Sequence, residues 1–354
     1  MAAKYEILAA QLRRQCSRMK RRKETKLPSE TELAEKTGNS RQTIRHALRV
    51  LEEEGLIRRV RGSGTYLADE KENRNTEIAV LVSNADAYLY PRLIRDIEAV
   101  CLPAGLQVTV YSTGNEVMRE RTVLSSLLKN KPAGILMEGA KSALPSPNLD
   151  LLSAIERQGI PLVFLMAPLP VPGNAPCIRA DNEGGAAMLV RYLLDKGRRN
   201  IGGIFRSDEL QGTERYHGFV NELLRSGCPV NEKTILWYDT ADYIELLQKT
   251  DQLPARLSCA RLTGCDALVC CNDEIAYHMI RHLLKAGIRV PEDMAVVSFD
   301  NSHYCLLSPV SITSLTHEKH QLGKLAADAL VNLIDEKSAR SVCLPWTLRE
   351  RESG

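Results

Sequence analysis

Residues 40–55 read SRQTIRHALRVLEEEG, and this stretch decides how the N-terminal part of the chain folds. Its apolar residues recur at the spacing of one buried helix face: Ile44, Ala47, Leu48 and Leu51. Its arginines recur every four residues on another face, with Gln42 nearby: Arg41, Arg45 and Arg49. Ser40 is placed to cap this helix, and Gly55 is placed to end it. The exposed face carries the donors that DNA phosphates and base edges accept.

Two further helices are predicted before this stretch. Apolar residues four positions apart line one face of the first helix: Leu8, Leu12 and Cys16. Ser29 and Glu32 have the spacing of a capping box, so a short second helix should begin there. Gly38 suits the left-handed position at the end of that helix.

A hairpin is predicted after the three helices. Two β-prone runs, residues 56–60 and 65–67, flank a turn that reads Arg61-Gly62-Ser63-Gly64. The turn carries a cation, and its glycines allow the backbone to approach a groove closely. Together these elements predict a winged helix-turn-helix domain over residues 1–68. A small helical interaction module is the alternative, and the arginine face and basic wing argue against it.

Charge is divided unevenly along the chain. Residues 1–68 hold 16 basic and 8 acidic residues, whereas the rest of the chain holds 31 basic and 36 acidic residues. A basic head favours a polyanionic partner such as double-stranded DNA, although a merely solvated basic face would have the same charge. Residues 69–76 are nearly all charged or amide-bearing, so we expect a linker there.

Residues 77–354 alternate between apolar runs and amphipathic helical patterns. The runs that predict strands lie at residues 78–83, 106–111, 133–137, 161–166, 201–205, 234–238, 267–270, 295–299 and 312–315. Nearly continuous apolar strands between helices indicate parallel sheets that are covered on both faces. About 280 residues is long for one sheet, so we predict an α/β domain of two lobes.

In such sheets, ligands bind beyond the carboxyl ends of the strands. Polar side chains follow several of the predicted ends: Glu138, Lys141, Asp208, Asn272, Asp273 and Asp300. Tyr88 and Tyr90 follow the first strand and offer flat walls for a sugar ring. Carboxylates, amides and cations suit a polyhydroxylated ligand, because hydroxyl groups both donate and accept hydrogen bonds. A helix cap or a solvated loop is the alternative for any one of them, notably Asn272 and Asp300.

Other protein classes fit the sequence less well. No run reaches the length of a membrane span and no secretory signal is seen, so we expect a cytoplasmic protein without a membrane partner. The spacing of the ten cysteines fits no zinc module. His278 and His282 lie four residues apart, but the glutamate of a zinc-protease motif is missing. We therefore predict no metal, no cofactor and no catalytic residue; a stand-alone sugar-binding protein is a remote alternative.

Residues 27–34, 40–57 and 62–66 read LPSETELA, SRQTIRHALRVLEEEGLI and GSGTY. With these segments the N-terminal domain resembles the DNA-binding domain of the GntR family. The resemblance implies that Arg41, Thr43 and Arg45 face the major groove and that the wing tip lies in or near the minor groove. The candidate DNA-contacting residues are Ser29, Ser40, Arg41, Gln42, Thr43, Arg45, Arg49, Arg61, Gly62 and Gly64.

Residues 214–219, 271–276 and 287–300 read ERYHGF, CNDEIA and GIRVPEDMAVVSFD, and they resemble the LacI/GalR sensor domain. The resemblance implies a periplasmic-binding-protein-like pair of lobes, a homodimer and a small-molecule effector in the interlobe cleft. The candidate effector-contacting residues are Tyr88, Tyr90, Glu138, Lys141, Asp208, Arg215, Asn272, Asp273, Asp300 and His317.

Residues 88–91, 138–142, 203–208 and 210–212 read YLYP, EGAKS, GIFRSD and LQG. With these segments, a GntR-type head on a LacI-type sensor resembles the arabinose repressors of Gram-positive bacteria. That resemblance implies L-arabinose as the effector and release of operator DNA when the sugar binds. A regulator of the same architecture that responds to another sugar or metabolite is the alternative.

Overall fold

A computed structural model describes residues 4–21, 25–60, 63–67, 75–86, 88–249, 252–317 and 321–354. The chain divides into two compact units, Met1–Asn75 and Thr76–Gly354. The linker expected at residues 69–76 lies almost wholly outside the described residues and stays a prediction. In the described part of the chain, no helix combines the length and the apolar composition that a bilayer crossing requires.

The described residues of the first unit form three helices, α1 (Lys4–Arg21), α2 (Glu30–Thr37) and α3 (Arg41–Glu53). Their apolar faces share one core, in which the predicted stripe of α3 is fully buried: Ile44, Ala47, Leu48 and Leu51. Gly38 ends α2 with a φ of 65°, a left-handed conformation that glycine adopts readily. The connection between α2 and α3 is short because Gly38 ends one helix and Ser40 caps the start of the next.

Strands β1 (Ile57–Val60) and β2 (Gly64–Leu67) pair antiparallel and form a small wing after α3. The Leu27 N–H donates to the Thr65 carbonyl at 2.8 Å, so the chain before α2 also pairs with β2. Ile57 and Leu67 join the core of the three helices. The unit is a winged helix-turn-helix, although the wing-tip residues Arg61 and Gly62 lie outside the described residues.

The Ser29 hydroxyl caps α2, and we expect Ser29→Ala to loosen this helix. The Glu32 N–H donates to Ser29 Oγ at 3.3 Å, and the Ser29 N–H donates to the Glu32 carboxylate at 2.7 Å. Losing an N-cap costs about 1 kcal/mol, so the amides of α2 should exchange hydrogen about fivefold faster. Hydrogen exchange of the intact protein measures this, with Thr31→Ala on the same helix turn as the control. Unchanged protection of α2 in Ser29→Ala would contradict the capping role.

The second unit contains two sheets of six described strands each, which we call the N-lobe and the C-lobe sheets. The N-lobe strands are β3 (Glu77–Val82), β4 (Gln107–Ser112), β5 (Gly134–Met137), β6 (Leu162–Leu165), β7 (Cys177–Ala180) and β13 (Val342–Leu344). The C-lobe strands are β8 (Ile201–Arg206), β9 (Ile235–Tyr238), β10 (Ala267–Cys270), β11 (Ala295–Phe299), β12 (Thr313–Thr316) and β14 (Thr347–Arg349). The strand orders are β13-β7-β6-β5-β3-β4 and β14-β12-β11-β10-β8-β9, so the two lobes repeat one topology.

Helices cover both sheets, as the apolar strands require. Those that pack on the N-lobe are α4 (Tyr90–Cys101), α5 (Val117–Asn130), α6 (Leu149–Arg157) and α12 (Leu322–Ile334). Those of the C-lobe are α7 (Asn182–Asp195), α8 (Leu210–Arg225), α9 (Thr240–Gln248), α10 (Asp273–Lys285) and the short α11 (Tyr304–Leu307). The predicted α/β domain of two lobes is thus confirmed.

The sequence prediction omits β7, β13 and β14. β7 directly follows the proline-rich residues 168–176, and β13 and β14 have three residues each, too few for a periodic signal. β14 pairs antiparallel with β12, so the C-lobe sheet is not wholly parallel as predicted. The last long helix begins at Leu322 rather than near residue 318, and residues 318–320 lie outside the described residues.

The chain passes between the lobes three times, after β7, after β12 and after β13. Arg179 on β7 and Glu214 on α8 form an ion pair across the first passage, with Nη1 and Oε1 2.6 Å apart. The Asn182 amide donates to the other oxygen of Glu214 at 2.8 Å. Three connections and these bonds hold the strand ends of both lobes against a common cleft.

Candidate functional site

The exposed face of α3 carries the predicted DNA-contacting residues of that helix. These side chains are exposed or half-buried: Arg41, Gln42, Thr43, Arg45 and Arg49. Arg45 Nε donates to Glu30 at 2.8 Å, and Arg49 Nε donates to Glu53 at 3.0 Å. Ion pairs this exposed contribute little to stability, so both guanidinium groups are available to a polyanion.

Two other DNA-contact candidates of the first unit, Ser40 and Gly64, have structural roles in a helix cap and a strand start. Ser40 Oγ accepts from the Thr43 N–H at 3.3 Å and caps α3, as Ser29 caps α2. Gly64 begins β2 with a φ of 128°, and a Cβ there would lie 3.1 Å from the Lys26 side chain. This position therefore requires glycine for its backbone conformation.

A cavity of about 270 Å³ lies between the two lobes of the second unit, at the carboxyl ends of their strands. Six of the ten effector candidates line it: Tyr88, Tyr90, Arg215, Asn272, Asp300 and His317. The cavity thus lies where the sequence predicts a ligand site, beyond the carboxyl ends of the strands. The other four candidates lie nearby but are not part of its wall: Glu138, Lys141, Asp208 and Asp273.

Arg215 on α8 is a buried cation at the centre of the cleft. Its guanidinium carbon lies 4.1 Å from the ring centroid of Phe299, which is cation–π contact. Nε donates to Asn182 at 3.0 Å, and Nη1 donates to the Cys271 carbonyl. Nη2 lies 3.4 Å from Oδ1 of Asp300, and only 6% and 8% of the two side chains are exposed. The cavity thus has a fixed guanidinium donor, and the charge of Asp300 compensates the charge of Arg215.

Tyr88 joins the two lobes across this cleft. Its hydroxyl donates to Oδ2 of Asp300 at 2.7 Å and accepts from the Asp273 N–H at 3.3 Å. Tyr88 has a φ of 56° and Asp300 a φ of 97°, values that are unusual for residues with a Cβ. Such backbone strain persists where the surrounding contacts fix it, and it is typical of ligand sites.

Tyr90 and Asp208 take part in two further polar groups beside the cavity. The Tyr90 hydroxyl donates to the buried Glu138 carboxylate at 2.9 Å, and the Ser83 N–H donates to the same carboxylate at 2.9 Å. Burial raises the pKa of Glu138. Asp208 accepts from the Thr240 hydroxyl and from the Asn115 amide at 3.3 Å, which again links the lobes. Both carboxylates are therefore engaged by protein donors.

Asn272 shows that the helix-cap alternative applies, because its Oδ1 accepts from the Ile275 N–H at 3.0 Å at the start of α10. Asp273 turns away from the cavity: its carboxylate accepts from the hydroxyls of Ser298 and Ser314 and from the Ser302 N–H. Burial raises the Asp273 pKa to about 6, with the Asp300 charge adding to the effect. Strand order alone does not say which way a side chain after a strand points.

Lys141 also stands apart from the cavity wall. It has a φ of 49°, and its backbone N–H donates to Oδ1 of Asn115 at 2.6 Å. His317 lines the cavity beside a residue that the sequence analysis does not identify, Trp346, whose ring is 3.7 Å away and nearly parallel. The Pro345 carbonyl lies 2.9 Å from Nδ1 of His317, so this nitrogen carries the proton and Nε2 is an acceptor. Burial lowers the His317 pKa, which favours the neutral ring.

Arg206 and Glu209 are further cavity residues that the sequence analysis omits. Arg206 ends β8 and donates to Asp208 at 3.1 Å and to the Thr240 hydroxyl at 2.9 Å. Oε1 of Glu209 lies 2.9 Å from Nη1 of Arg206. Both residues occupy the carboxyl end of a C-lobe strand, so a stricter use of the strand-end rule would have found them.

Comparisons with known proteins agree with this architecture. Residues 4–67 match the model of the bacterial regulatory proteins of the gntR family, and residues 190–354 match a periplasmic binding protein-like domain. An arabinose metabolism transcriptional repressor of Halalkalibacterium halodurans is 32% identical, and the alignment covers 88% of this chain and 84% of that protein. The chain belongs to this family of GntR-headed transcriptional regulators.

Two other comparisons extend over most of the regulator. A repressor of the same description from Geobacillus stearothermophilus is 30% identical over 90% of the regulator and 87% of its own length. A solved complex of the transcriptional regulator CelR with cellobiose superposes with a TM-score of 0.65 at 23% identity, over 90% of the regulator and 92% of that chain. These relatives are transcriptional regulators, so the regulator is not an enzyme.

Proposed function

We propose that this regulator is a repressor that binds operator DNA through its winged head and releases it when L-arabinose enters the interlobe cleft. The observation that carries the proposal is the cavity of about 270 Å³ between the two lobes, whose largely apolar wall carries several charged and amide side chains. Arg215, Asn272 and Asp300 line it beside aromatic rings, and this combination of polar groups and flat apolar surface suits a sugar. The named repressors at about 30% identity support arabinose as the sugar.

The DNA side of the proposal follows from the head. Two chains pair as a homodimer and present two heads to a pseudo-palindromic operator. Arg41 and Arg45 read base edges, and Arg49 and the wing contact phosphates, so binding weakens as salt rises. The sugar bridges the lobes and favours their closed arrangement. Closure then lowers operator affinity by a coupling free energy of about 1–3 kcal/mol.

Thermal unfolding of the intact regulator against a panel of sugars tests the proposal. The panel contains L-arabinose, D-xylose, D-ribose, D-glucose, cellobiose and ribose 5-phosphate. A ligand at 100 times its Kd adds about 2.7 kcal/mol of stability, which is readily measured. We expect L-arabinose to stabilise the protein and to release DNA selected from a random duplex pool. Stabilisation by another member alone would replace the effector, and no stabilisation by any member would overturn the sugar-sensor proposal.

Tryptophan fluorescence should report occupancy of the cleft. The chain has two tryptophans: Trp346 lines the cavity, and Trp237 packs 4.9 Å from Tyr216 inside the C-lobe. We expect saturating L-arabinose to change the emission of the wild type and of Trp237→Phe, but not of Trp346→Phe. Titration at fixed protein concentration measures this. A full signal in Trp346→Phe would show that the sugar does not lie against this ring.

A further inference from the structure

The carboxylates near the cleft differ in how fully the protein already uses them. Oδ2 of Asp300 accepts from Tyr88 at 2.7 Å, and Oδ1 faces Arg215 at 3.4 Å. Oε2 of Glu138 accepts from the Ser83 N–H at 2.9 Å, and the single Tyr90 hydroxyl lies 3.0 and 2.9 Å from the two oxygens. Both oxygens of Asp208 are also bonded, to Arg206 and to Thr240. Each of these three carboxylates therefore already accepts hydrogen bonds from protein donors without any ligand.

Glu209 is different. Its Oε1 is buried, yet no donor among the described residues makes a hydrogen bond to it. Nη1 of Arg206 lies 2.9 Å away and forms an ion pair with this oxygen, but the contact does not meet the geometry of a hydrogen bond. The side chain lines the cavity and is 13% exposed. A buried carboxylate oxygen that accepts no hydrogen bond costs free energy even beside a cation, and a ligand hydroxyl that donates to it removes that cost.

We infer that Glu209, which is not among the effector contacts that the sequence predicts, contacts the effector directly, as the principal carboxylate acceptor for its hydroxyl groups. The inference rests on the proposed function, since it concerns the same cleft. Arg206 balances the charge of Glu209, so the site accepts a neutral polyol. Asp300 instead accepts a hydrogen bond from the Tyr88 hydroxyl, and this bond joins the two lobes.

The environment of Glu209 also gives effector binding a pH dependence. Burial raises the pKa of Glu209 to about 7; Arg206 and Arg215 lower it, and Glu138 and Asp208 raise it. Tyr90 and Tyr238 also lie near enough to interact with its charge. A hydroxyl donates to the ionised form, so the effector must displace the proton below pH 7. Effector affinity should therefore rise about tenfold from pH 6 to pH 8.

Calorimetric titration of intact wild type, Glu209→Gln and Glu116→Gln with L-arabinose at pH 6, 7 and 8 tests the inference. Glu116 is the matched control, because like Glu209 it directly precedes a helix and its side chain does not cap that helix. Unlike Glu209, its side chain is 53% exposed and does not line the cavity. We expect Glu209→Gln to bind about ten- to a hundredfold more weakly at pH 8 and with a flatter pH profile, while Glu116→Gln equals the wild type.

The outcomes separate the inference from the proposed function. If the wild type binds L-arabinose and Glu209→Gln binds it equally well with an unchanged pH profile, Glu209 is not the acceptor and the sensor proposal stands. Weaker binding by Glu209→Gln with the full wild-type pH profile would also overturn the inference, since it would indicate a general distortion of the cleft. If the wild type binds no panel sugar, both proposals fail together.

Discussion

Replacing Arg45 by alanine is expected to remove specific operator binding and to leave effector binding unchanged. Arg45 lies on the exposed face of α3, with 67% of its side chain accessible, and its Nε lies 2.8 Å from the Glu30 carboxylate on α2. A bidentate contact to a base contributes about 1–3 kcal/mol of discrimination, and a dimer makes two of them, so about 2–6 kcal/mol is lost. Fluorescence anisotropy with selected and scrambled duplexes measures the loss.

Arg49→Ala and Arg157→Ala are the matched controls for Arg45→Ala. Arg49 lies one turn along the same face, paired with Glu53, and its loss should weaken both duplexes equally and reduce the dependence on salt. Arg157 is an exposed cation at the end of α6 in the second unit, and its loss should change neither. Unaltered discrimination in Arg45→Ala would remove this residue from base recognition. Loss of sugar binding in Arg45→Ala would contradict the division into a DNA-binding and a sensing unit.

The head could be predicted closely from sequence because its signals are local. Ser29, Ser40 and Gly38 mark helix ends within a few residues of the positions where they act, and the stripe of α3 is periodic over two turns. The seven apolar residues that predict the buried faces of α1 and α3 all join this core, and their spacing is visible without any distant partner. The same holds for the long strands of the second unit, which are continuous apolar runs.

The cleft could be predicted only in part, because strand ends locate a residue but not its side-chain direction. Asp273 and Asp300 both follow C-lobe strands. The Asp273 carboxylate accepts from two serine hydroxyls away from the cavity, whereas Asp300 lines the cavity. The difference depends on backbone conformations such as the φ of 97° at Asp300, which neighbouring contacts impose. Trp346 follows a three-residue strand at the third passage between the lobes, so only the tertiary fold brings it to the cavity.

Replacing Arg215 by methionine is expected to abolish effector binding and to destabilise the second unit by about 3–5 kcal/mol. Methionine keeps much of the apolar contact with Phe299, but it leaves the Asp300 carboxylate and the Cys271 carbonyl without their buried donor. Differential scanning calorimetry of the intact regulator measures the change in the transition that L-arabinose stabilises in the wild type. An unchanged transition in Arg215→Met would contradict the buried ion pair.

The double variant Arg215→Met/Asp300→Asn separates stability from binding. Removing the charge of Asp300 relieves the uncompensated carboxylate, because an amide still accepts from Tyr88 and costs far less to bury than an ion. We therefore expect the double variant to recover a large part of the lost stability but none of the sugar binding. Recovery of both would mean that Arg215 serves only to neutralise Asp300. Recovery of stability alone would make the guanidinium group itself a donor to the effector, since the cavity would then be intact without it.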